Sequence, residues 1–349
     1  MTAAPVAATF APWASETLAF CSDPASGLRG VVAIDSTTLG PALGGVRLKA
    51  YASDELGIRE AQRLAAAMTL KNAVAGLPFG GGKSVIFDTG AHDRAALMAA
   101  FGDAVARLGG AYLPGVDMGT SPADLRIMRT RGAVVSCADE DPSPWTALGV
   151  HAAIRAAVRH DGHARDLRGV RVLIQGAGHV GAALALLWAR EGAHVLVSDV
   201  VAIRAAQVAH EVGGEVVAPD AVVSTECDVF APCAAAGVIS AETVAALACR
   251  IVAGAANDTL TDDTLAVELR DRGIVYVPDF VANAGGVIHI HALREGWTAA
   301  RLEAEVVGIG ARVAGLLARS DDEATTPLDA AKALAAERLA AGPLHEVAA

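Results

Sequence analysis

The sequence predicts an α/β protein in two parts, and three observations predict it. At 349 residues the chain is long enough for two domains. Beyond about residue 170, short β-branched runs recur at spacings of roughly 20 residues, many of them filled by helical sequence, which is the signature of a parallel sheet. Between the first two runs lies Gly176-Ala177-Gly178-His179-Val180-Gly181, a glycine pattern set between strand and helix. Composition agrees with a sizeable core: 53% of residues are hydrophobic and only 4% aromatic, with abundant Ala for close-packed helices. The formal charge of −11 argues against nucleic acid or an anionic membrane surface as the main partner.

The opening MTAAPVAATFAPWASE has no basic segment before its apolar residues and reads as a ragged N-terminus, not a signal peptide. No apolar run reaches the length of a membrane span. The five cysteines, Cys21, Cys137, Cys227, Cys233 and Cys249, show no tight metal-ligand spacing. They read as reduced structural thiols of a cytoplasmic protein that holds no metal. Gly30 to Ile34 (GVVAI) reads as a strand, and after the turn-rich TTLGPALGG comes a second, VRLKAY. Leu56, Ile58, Ala61, Leu64, Ala65 and Met68 follow a helical period from Asp54 to Met68, with Ser53 as N-cap. Ser84 to Phe87 is a strand candidate, Asp93 to Leu108 an Ala-rich helix, and AYLPGVD a strand running into a loop. Asp141 to Pro144, DPSP, is turn chemistry and a candidate domain boundary. Trp145 to Arg159 then reads as a long helix.

In the second part VRVLIQ (Val170 to Gln175) and HVLVSD (His194 to Asp199) are strands, followed by VAP, CDVFAPC, RIVAGAA and IVYVPD. They are apolar throughout and do not alternate, as expected of strands buried on both faces. The region after His291 is helical and Ala-rich, with SDDEATTP (Ser320 to Pro327) as a polar link before a last amphipathic helix.

A glycine pattern alone is weak. Here it follows VRVLIQ, opens the helical HVGAALALLWAREG, and is followed by an acid, Asp199, 18 residues after Gly181 at the end of the next strand. That context defines a Rossmann dinucleotide site. Gly176 permits the tight turn, Gly178 lets the backbone approach a pyrophosphate, and Gly181 lets helix and strand pack closely. The helix start offers unpaired N–H groups to the phosphates. Asp199 is placed to accept from ribose hydroxyls, which favours NAD over NADP. Arg204, five residues on, is a counter-signal because it can meet a 2′-phosphate.

The stretch MTLKNAVAGLPFGGGKSVI, residues 68 to 86, sets Lys71 and Lys83 in apolar surroundings. It is not a Walker loop: Leu77 stands where that motif needs glycine, and SVIF after Lys83 reads as strand and not helix. The expected geometry puts Lys71 one turn past a helix ending near Met68, facing a loop, and brings Lys83 into a strand from a glycine-rich approach. Spacing alone leaves two readings: solvated loop lysines, or two lysines in one pocket. In the second, one lysine stays charged while the other, desolvated, becomes a base near neutral pH.

These residues resemble the Glu/Leu/Phe/Val dehydrogenases. FCSDPASGLRGVVAIDSTTLGPALGG (Phe20 to Gly45) is similar to the N-terminal part of leucine dehydrogenases. VDMGT, DPSPWTALGV, IQGAGHVG, CDVFAPCAAAGVI, AGAAND and VPDFVANAGGVIHI fall in family order. The resemblance implies an N-terminal α/β substrate-binding and oligomerisation domain over residues 1–145, with C-terminal helices from about 325–349 packing back on it. It implies a Rossmann domain over residues 146–324 and a cleft between the two. It implies oxidative deamination of an L-amino acid to a 2-oxo acid and ammonia by a homo-oligomer, with hydride passed to NAD. Lys71 matches the lysine that pairs with the substrate carboxylate, Lys83 the catalytic lysine, and Asp117 the aspartate that relays protons. Asn283 and Asn257 match positions beside the nicotinamide and the substrate amine, and Thr146 one near the nicotinamide amide.

By position in the family, Gly44, Gly45, Met68, Gly115, Val287 and Ile290 should line the side-chain pocket. It is apolar and offers no partner to a second acid group, at a cost of several kcal/mol, which argues against glutamate. Ile290 narrows the pocket toward Leu, Val or Ile, whereas Gly115 widens another wall toward Phe. One methylene is worth only about 1–3 kcal/mol of discrimination. Phenylalanine or tryptophan dehydrogenase activity is therefore the alternative, beside a catalytically silent NAD-binding paralogue or a biosynthetic relative using the same imine chemistry. Val116, the bulky Trp145, Asp35 with Ser36, and His289 with His291 depart from the leucine dehydrogenase pattern, and none of them removes a catalytic group.

Overall fold

The computed structural model describes residues 14–90, 93–136, 139–162, 164–234 and 236–343. The ragged start (residues 1–13), Cys137, and residues 344–349 of the expected C-terminal helices lie outside them. The chain divides into two compact units, Met1–Glu140 with Arg338–Ala349, and Asp141–Glu337. The division falls at the DPSP turn, five residues before the expected boundary at 145. The return to the first unit starts at Arg338 and not near 325. The reason is local: Arg338 Nη1 donates to the carbonyls of Ala73 and Val74, both at 2.6 Å. Lys332 instead pairs with Asp263, and Glu337 with Arg319 at 2.9 Å, inside the second unit.

The first unit is a five-stranded sheet in the order β1-β2-β4-β3-β5. Its strands are β1 (Thr17–Asp23), β2 (Leu28–Ser36), β3 (Ala42–Lys49), β4 (Gly80–Phe87) and β5 (Tyr112–Val116). β1, β2 and β4 pair antiparallel, and β3 runs parallel to β4 and β5. Helix α1 (Asp54–Ala75) covers one face, packing Ala61 and Ala65 on Val31, Ala33 and Val85. Helices α2 (Arg94–Ala106) and α3 (Pro122–Thr130) belong to the cluster on the other, where Leu97, Phe101, Leu125 and Met128 meet Val32, Val46 and Ile86.

Two expectations about the lysine stretch are corrected here. α1 does not end near Met68; it runs to Ala75, with Gly76 as its left-handed C-cap (φ 72°), so Lys71 lies inside the helix. The polar residues just past Met68 are paired in tertiary structure. Thr69 Oγ1 donates to Asp35 Oδ2 at 2.5 Å, and Asn72 Nδ2 to the Gly80 carbonyl at 2.7 Å. The glycines before Lys83 are not an approach to a strand but its first residues, all buried.

The second unit carries a parallel sheet in the order β11-β10-β9-β6-β7-β8. The strands are β6 (Arg171–Gln175), β7 (His194–Ser198), β8 (Glu215–Val216), β9 (Val229–Pro232), β10 (Ile251–Val252) and β11 (Val275–Tyr276). Numbered within the unit this is the 3-2-1-4-5-6 order of a Rossmann sheet, in which the order of strand addition reverses between β6 and β9. Its helices include α4 (Ser143–Asp161), α5 (His179–Arg190), α6 (Ala202–Val212), α7 (Leu265–Asp271), α8 (Asp279–Ala282) and α9 (Gly285–Glu295). α10 (Ala299–Val307), α11 (Ile309–Asp322) and α12 (Pro327–Ala341) follow. No described helix is long and apolar enough to cross a membrane. Cys21, Cys227, Cys233 and Cys249 are unpaired thiols, and burial pushes the last three up to about 12.

Candidate active site

In the first unit the structure brings Lys83 and Asp117 together. Lys83 Nζ lies 3.0 Å from Asp117 Oδ2, with the lysine side chain 9% exposed. Lys83 sits in β4, and Asp117 follows β5 directly. The Asp117 turn is pinned by Thr120, whose hydroxyl accepts from Asp117 N at 3.0 Å and donates to the Val46 carbonyl at 2.8 Å. Gly45, on the strand between them, leaves the room they need. A Cβ there would meet Asp117 Cβ at 2.6 Å and Lys83 Nζ at 3.1 Å. Gly44 serves packing instead, since its Cβ would strike the Gly82 carbonyl at 1.6 Å. Both glycine carbonyls accept from the buried Tyr112 hydroxyl, at 2.9 and 3.2 Å.

Three residues of this site were missed in the sequence. Arg47 Nε donates to Asp117 Oδ2 at 2.7 Å, and Arg47 Nη1 pairs with Glu60 of α1 at 2.5 Å. Lys49 completes the row, 3.3 Å from Glu60 Oε2. The available signal was alternation: Gly45, Arg47 and Lys49 interleave with buried Val46 and Leu48, putting charge on the glycine face of β3.

Burial is the main reason that the Lys83 ammonium is disfavoured and its pKa lowered; the Arg47 charge adds to this, while Asp117 opposes it. Burial pushes the Asp117 carboxyl up, but Lys83 and Arg47 outweigh it, so the carboxyl is held below its usual range. The pair therefore combines a carboxylate whose charged form is favoured with an amine whose charged form is disfavoured.

Met68 and Lys71 are half-buried and three residues apart on α1, so they share a helix face. A Cβ at 115 would meet Ser136 Oγ at 2.8 Å, so the serine fills the space the glycine leaves.

In the second unit Gly176, Ala177, Gly178, His179, Val180 and Gly181 form the turn from β6 into α5. Gly176 has φ 105°, and a Cβ on Gly181 would lie 1.9 Å from the Gly176 carbonyl, so these two glycines close the turn. A Cβ on Gly178 would meet nothing within 4 Å. The loop thus presents an open, exposed backbone at the start of a 12-residue helix, as a pyrophosphate requires. Asp199, just past β7, ties the turn down by accepting from Ala177 N at 2.8 Å and Val201 N at 2.7 Å. Each carboxylate oxygen keeps further acceptor capacity for a ribose hydroxyl. These residues fit a dinucleotide.

Asn283, after α8, is buried and donates to the Ala255 carbonyl at 3.1 Å and to Asn257 Oδ1 at 2.9 Å, which joins the two asparagines. Thr146 belongs to the same neighbourhood: a Cβ on Gly286 would meet its Oγ1 at 2.9 Å. Val287 is buried and Ile290 half-buried on α9. His289 is buried and stacks on Trp145, ring centroids 5.9 Å apart, while His291 packs edge-on against Trp297. No group of three or more metal-ligating side chains occurs among the described residues.

One chain carries a buried lysine–carboxylate pair and a Rossmann dinucleotide turn, and the comparisons show that it is an oxidoreductase and name its family. Residues 16–132 match the family model described as Glu/Leu/Phe/Val dehydrogenase, dimerisation domain. Residues 198–340 match Glutamate/Leucine/Phenylalanine/Valine dehydrogenase. The chain is 40% identical to leucine dehydrogenase of Thermoactinomyces intermedius, over 84% of this chain and 82% of that protein. It is 38% identical to valine dehydrogenase of Streptomyces albus, over 93% and 92% respectively. The crystal structure of L-tryptophan dehydrogenase from Nostoc punctiforme superposes with a TM-score of 0.83 at 34% identity, covering 94% of this chain and 96% of that one. The chain belongs to the Glu/Leu/Phe/Val dehydrogenases, a family of nucleotide-binding amino-acid dehydrogenases.

Proposed function

We propose that the enzyme catalyses the reversible, NAD-dependent oxidative deamination of an apolar L-amino acid, leucine, valine or isoleucine, to the 2-oxo acid and ammonia. The observation that carries this reading is the buried ion pair of Lys83 and Asp117, 3.0 Å apart, with the lysine pKa lowered. Deamination needs a base twice. It first takes a proton from the substrate ammonium so that hydride can leave Cα, and then one from the water that attacks the imine carbon. A desolvated lysine held by a carboxylate does both, because it hands its first proton to Asp117 before it takes the second from water, and Asp117 then gives that first proton to the departing ammonia. Lys71 stays charged and holds the substrate carboxylate. When bound, NAD supplies the hydride acceptor. The turn from Gly176 to Gly181 and Asp199 would hold its pyrophosphate and ribose, with Thr146, Asn257 and Asn283 toward the nicotinamide.

The aliphatic choice rests on residue types: Gly44, Gly45, Met68, Val287 and Ile290 offer no partner to a second carboxylate. Relatives named for leucine and valine support it. The aromatic alternative is favoured by the likeness to a tryptophan dehydrogenase. With Gly115 backed by Ser136, one argument for a widened pocket falls away. The match to a dimerisation-domain model supports a homo-oligomer, and the unpaired thiols support a cytoplasmic setting.

The test is a panel. Purified protein with NAD and each of Leu, Val, Ile, Phe, Trp and Glu is followed at the NADH absorbance. The aliphatic three should turn over fastest and Glu not at all. No turnover with any sinks the reading, faster turnover with Phe or Trp selects the alternative, and NADP serving as well as NAD overturns the role of Asp199.

A further inference from the structure

We propose that Arg47 is a positioning residue for the reaction: it takes up the charge of Asp117 and so leaves Lys83 able to work as a base, with Glu60 setting how strongly it does so. This rests on the proposed role of Lys83. The geometry is a competition for one oxygen. Arg47 Nε and Lys83 Nζ both address Asp117 Oδ2, at 2.7 and 3.0 Å, and Arg47 Nη2 adds a longer contact of 3.4 Å to Oδ1. On its far side Arg47 is held by Glu60, which Lys49 also contacts.

Charge counting gives this arrangement its consequence. Asp117 and Glu60 carry two negative charges, and Arg47 and Lys49 two positive ones, so the row is neutral before Lys83 is counted. A proton on Lys83 therefore adds net charge to a site from which water is largely excluded, which is unfavourable. Without Arg47, Asp117 would instead need Lys83 as its counter-ion and would hold the proton there. Without Glu60, Arg47 would act on Lys83 unopposed. Burial, then Asp117, then Arg47 are the influences on the Lys83 pKa in order of size, and Arg47 and Glu60 act in opposite directions. A merely structural role for the two residues would not give opposite effects.

The experiment uses the full-length protein as Arg47→Gln, Arg47→Lys, Glu60→Gln and wild type. Acylation of Lys83 by acetic anhydride is followed against pH by peptide mass spectrometry, and kcat/KM against pH is recorded beside it. Arg47→Gln should move the labelling midpoint and the acidic limb of kcat/KM up by on the order of one pH unit. Arg47→Lys should stay near wild type, and Glu60→Gln should shift both downward. Unmoved midpoints, or shifts of the same sign, overturn the proposal. If Arg47→Gln does not fold, Glu60→Gln decides alone: a fall supports the proposal, and no change or a rise overturns it. Labelling needs no turnover, so an inactive amino-acid panel would defeat the proposed function while this inference is still read from the midpoints.

Discussion

The molecule has two glycine clusters of similar look and opposite use. In β4, Gly80, Gly81 and Gly82 are each filled against by protein. Added Cβ atoms would lie 1.8 Å from the Ser36 carbonyl, 2.2 Å from Thr69 N and 2.8 Å from the Tyr112 ring. In the turn after β6, Gly178 faces open space. Glycine in the strand lets helix, neighbouring strand and tyrosine close in and fix the backbone that carries Lys83. Glycine in the turn leaves its surroundings open, as the proposed dinucleotide requires. A glycine run is therefore interpretable only once what occupies the missing side chain's place is known.

If the strand cluster exists to place Lys83, the largest effect should come from that side chain. Lys83→Ala should lower kcat by about 10²–10⁴-fold, the range for removal of a general base. Lys71→Ala should chiefly raise KM. Steady-state kinetics with the best amino acid of the panel decide this, and the reverse pattern would show that the two lysines have exchanged roles.

The next effect tests the two kinds of glycine directly. Gly45→Ala forces a Cβ against Asp117 and Lys83, and displacing a reacting group by a fraction of an ångström should cost kcat up to about a hundredfold. Gly81→Ala meets backbone at Thr69 N and the Ala65 carbonyl, 2.2 and 2.4 Å away, and should cost about 1–3 kcal/mol of stability. Gly178→Ala should leave the thermal midpoint unchanged and raise only the KM for NAD. Equal losses of stability at 81 and 178 would erase the distinction.

Much of this arrangement was legible in the sequence, and the rest was not for identifiable reasons. The apolar runs of the second unit and the turn at Gly176 were readable because both-face burial and the phosphate turn leave local marks. Strand β1 was not read: it is an edge strand whose residues are mostly exposed or half-buried, so it carries no clean hydrophobic pattern. α1 was cut short because its apolar period was followed only to Met68, and the partners of Thr69 and Asn72 beyond it, at Asp35 and Gly80, are supplied by tertiary structure. α3 went unread although Ser121 and Asp124 form a capping box at its start. Arg47 is 70 residues from Asp117, and only the parallel register of β3 on β5 brings them together.

The smallest expected effect separates the two regions by titration. The folded-state pKa of Lys83 lies below its ordinary value of 10.5, so between those two values the unfolded chain binds more protons at this residue than the folded one. Stability contributed through Lys83 must therefore rise with pH across that window, by about 1.4 kcal/mol for each unit of depression. Asp117 acts at the other end. Its folded pKa is below 3.8, so its contribution is present above that value and is lost as pH falls through the folded one. Denaturant unfolding of wild type and Lys83→Met at pH 7 to 10 isolates the first term as the difference between the two curves. The difference should change in favour of wild type as pH rises, and Gly178→Ala, which alters no titrating group, should track wild type throughout. A constant difference would mean that Lys83 binds its proton as tightly folded as unfolded, and the strand would then hold an ordinary ammonium ion and not a base.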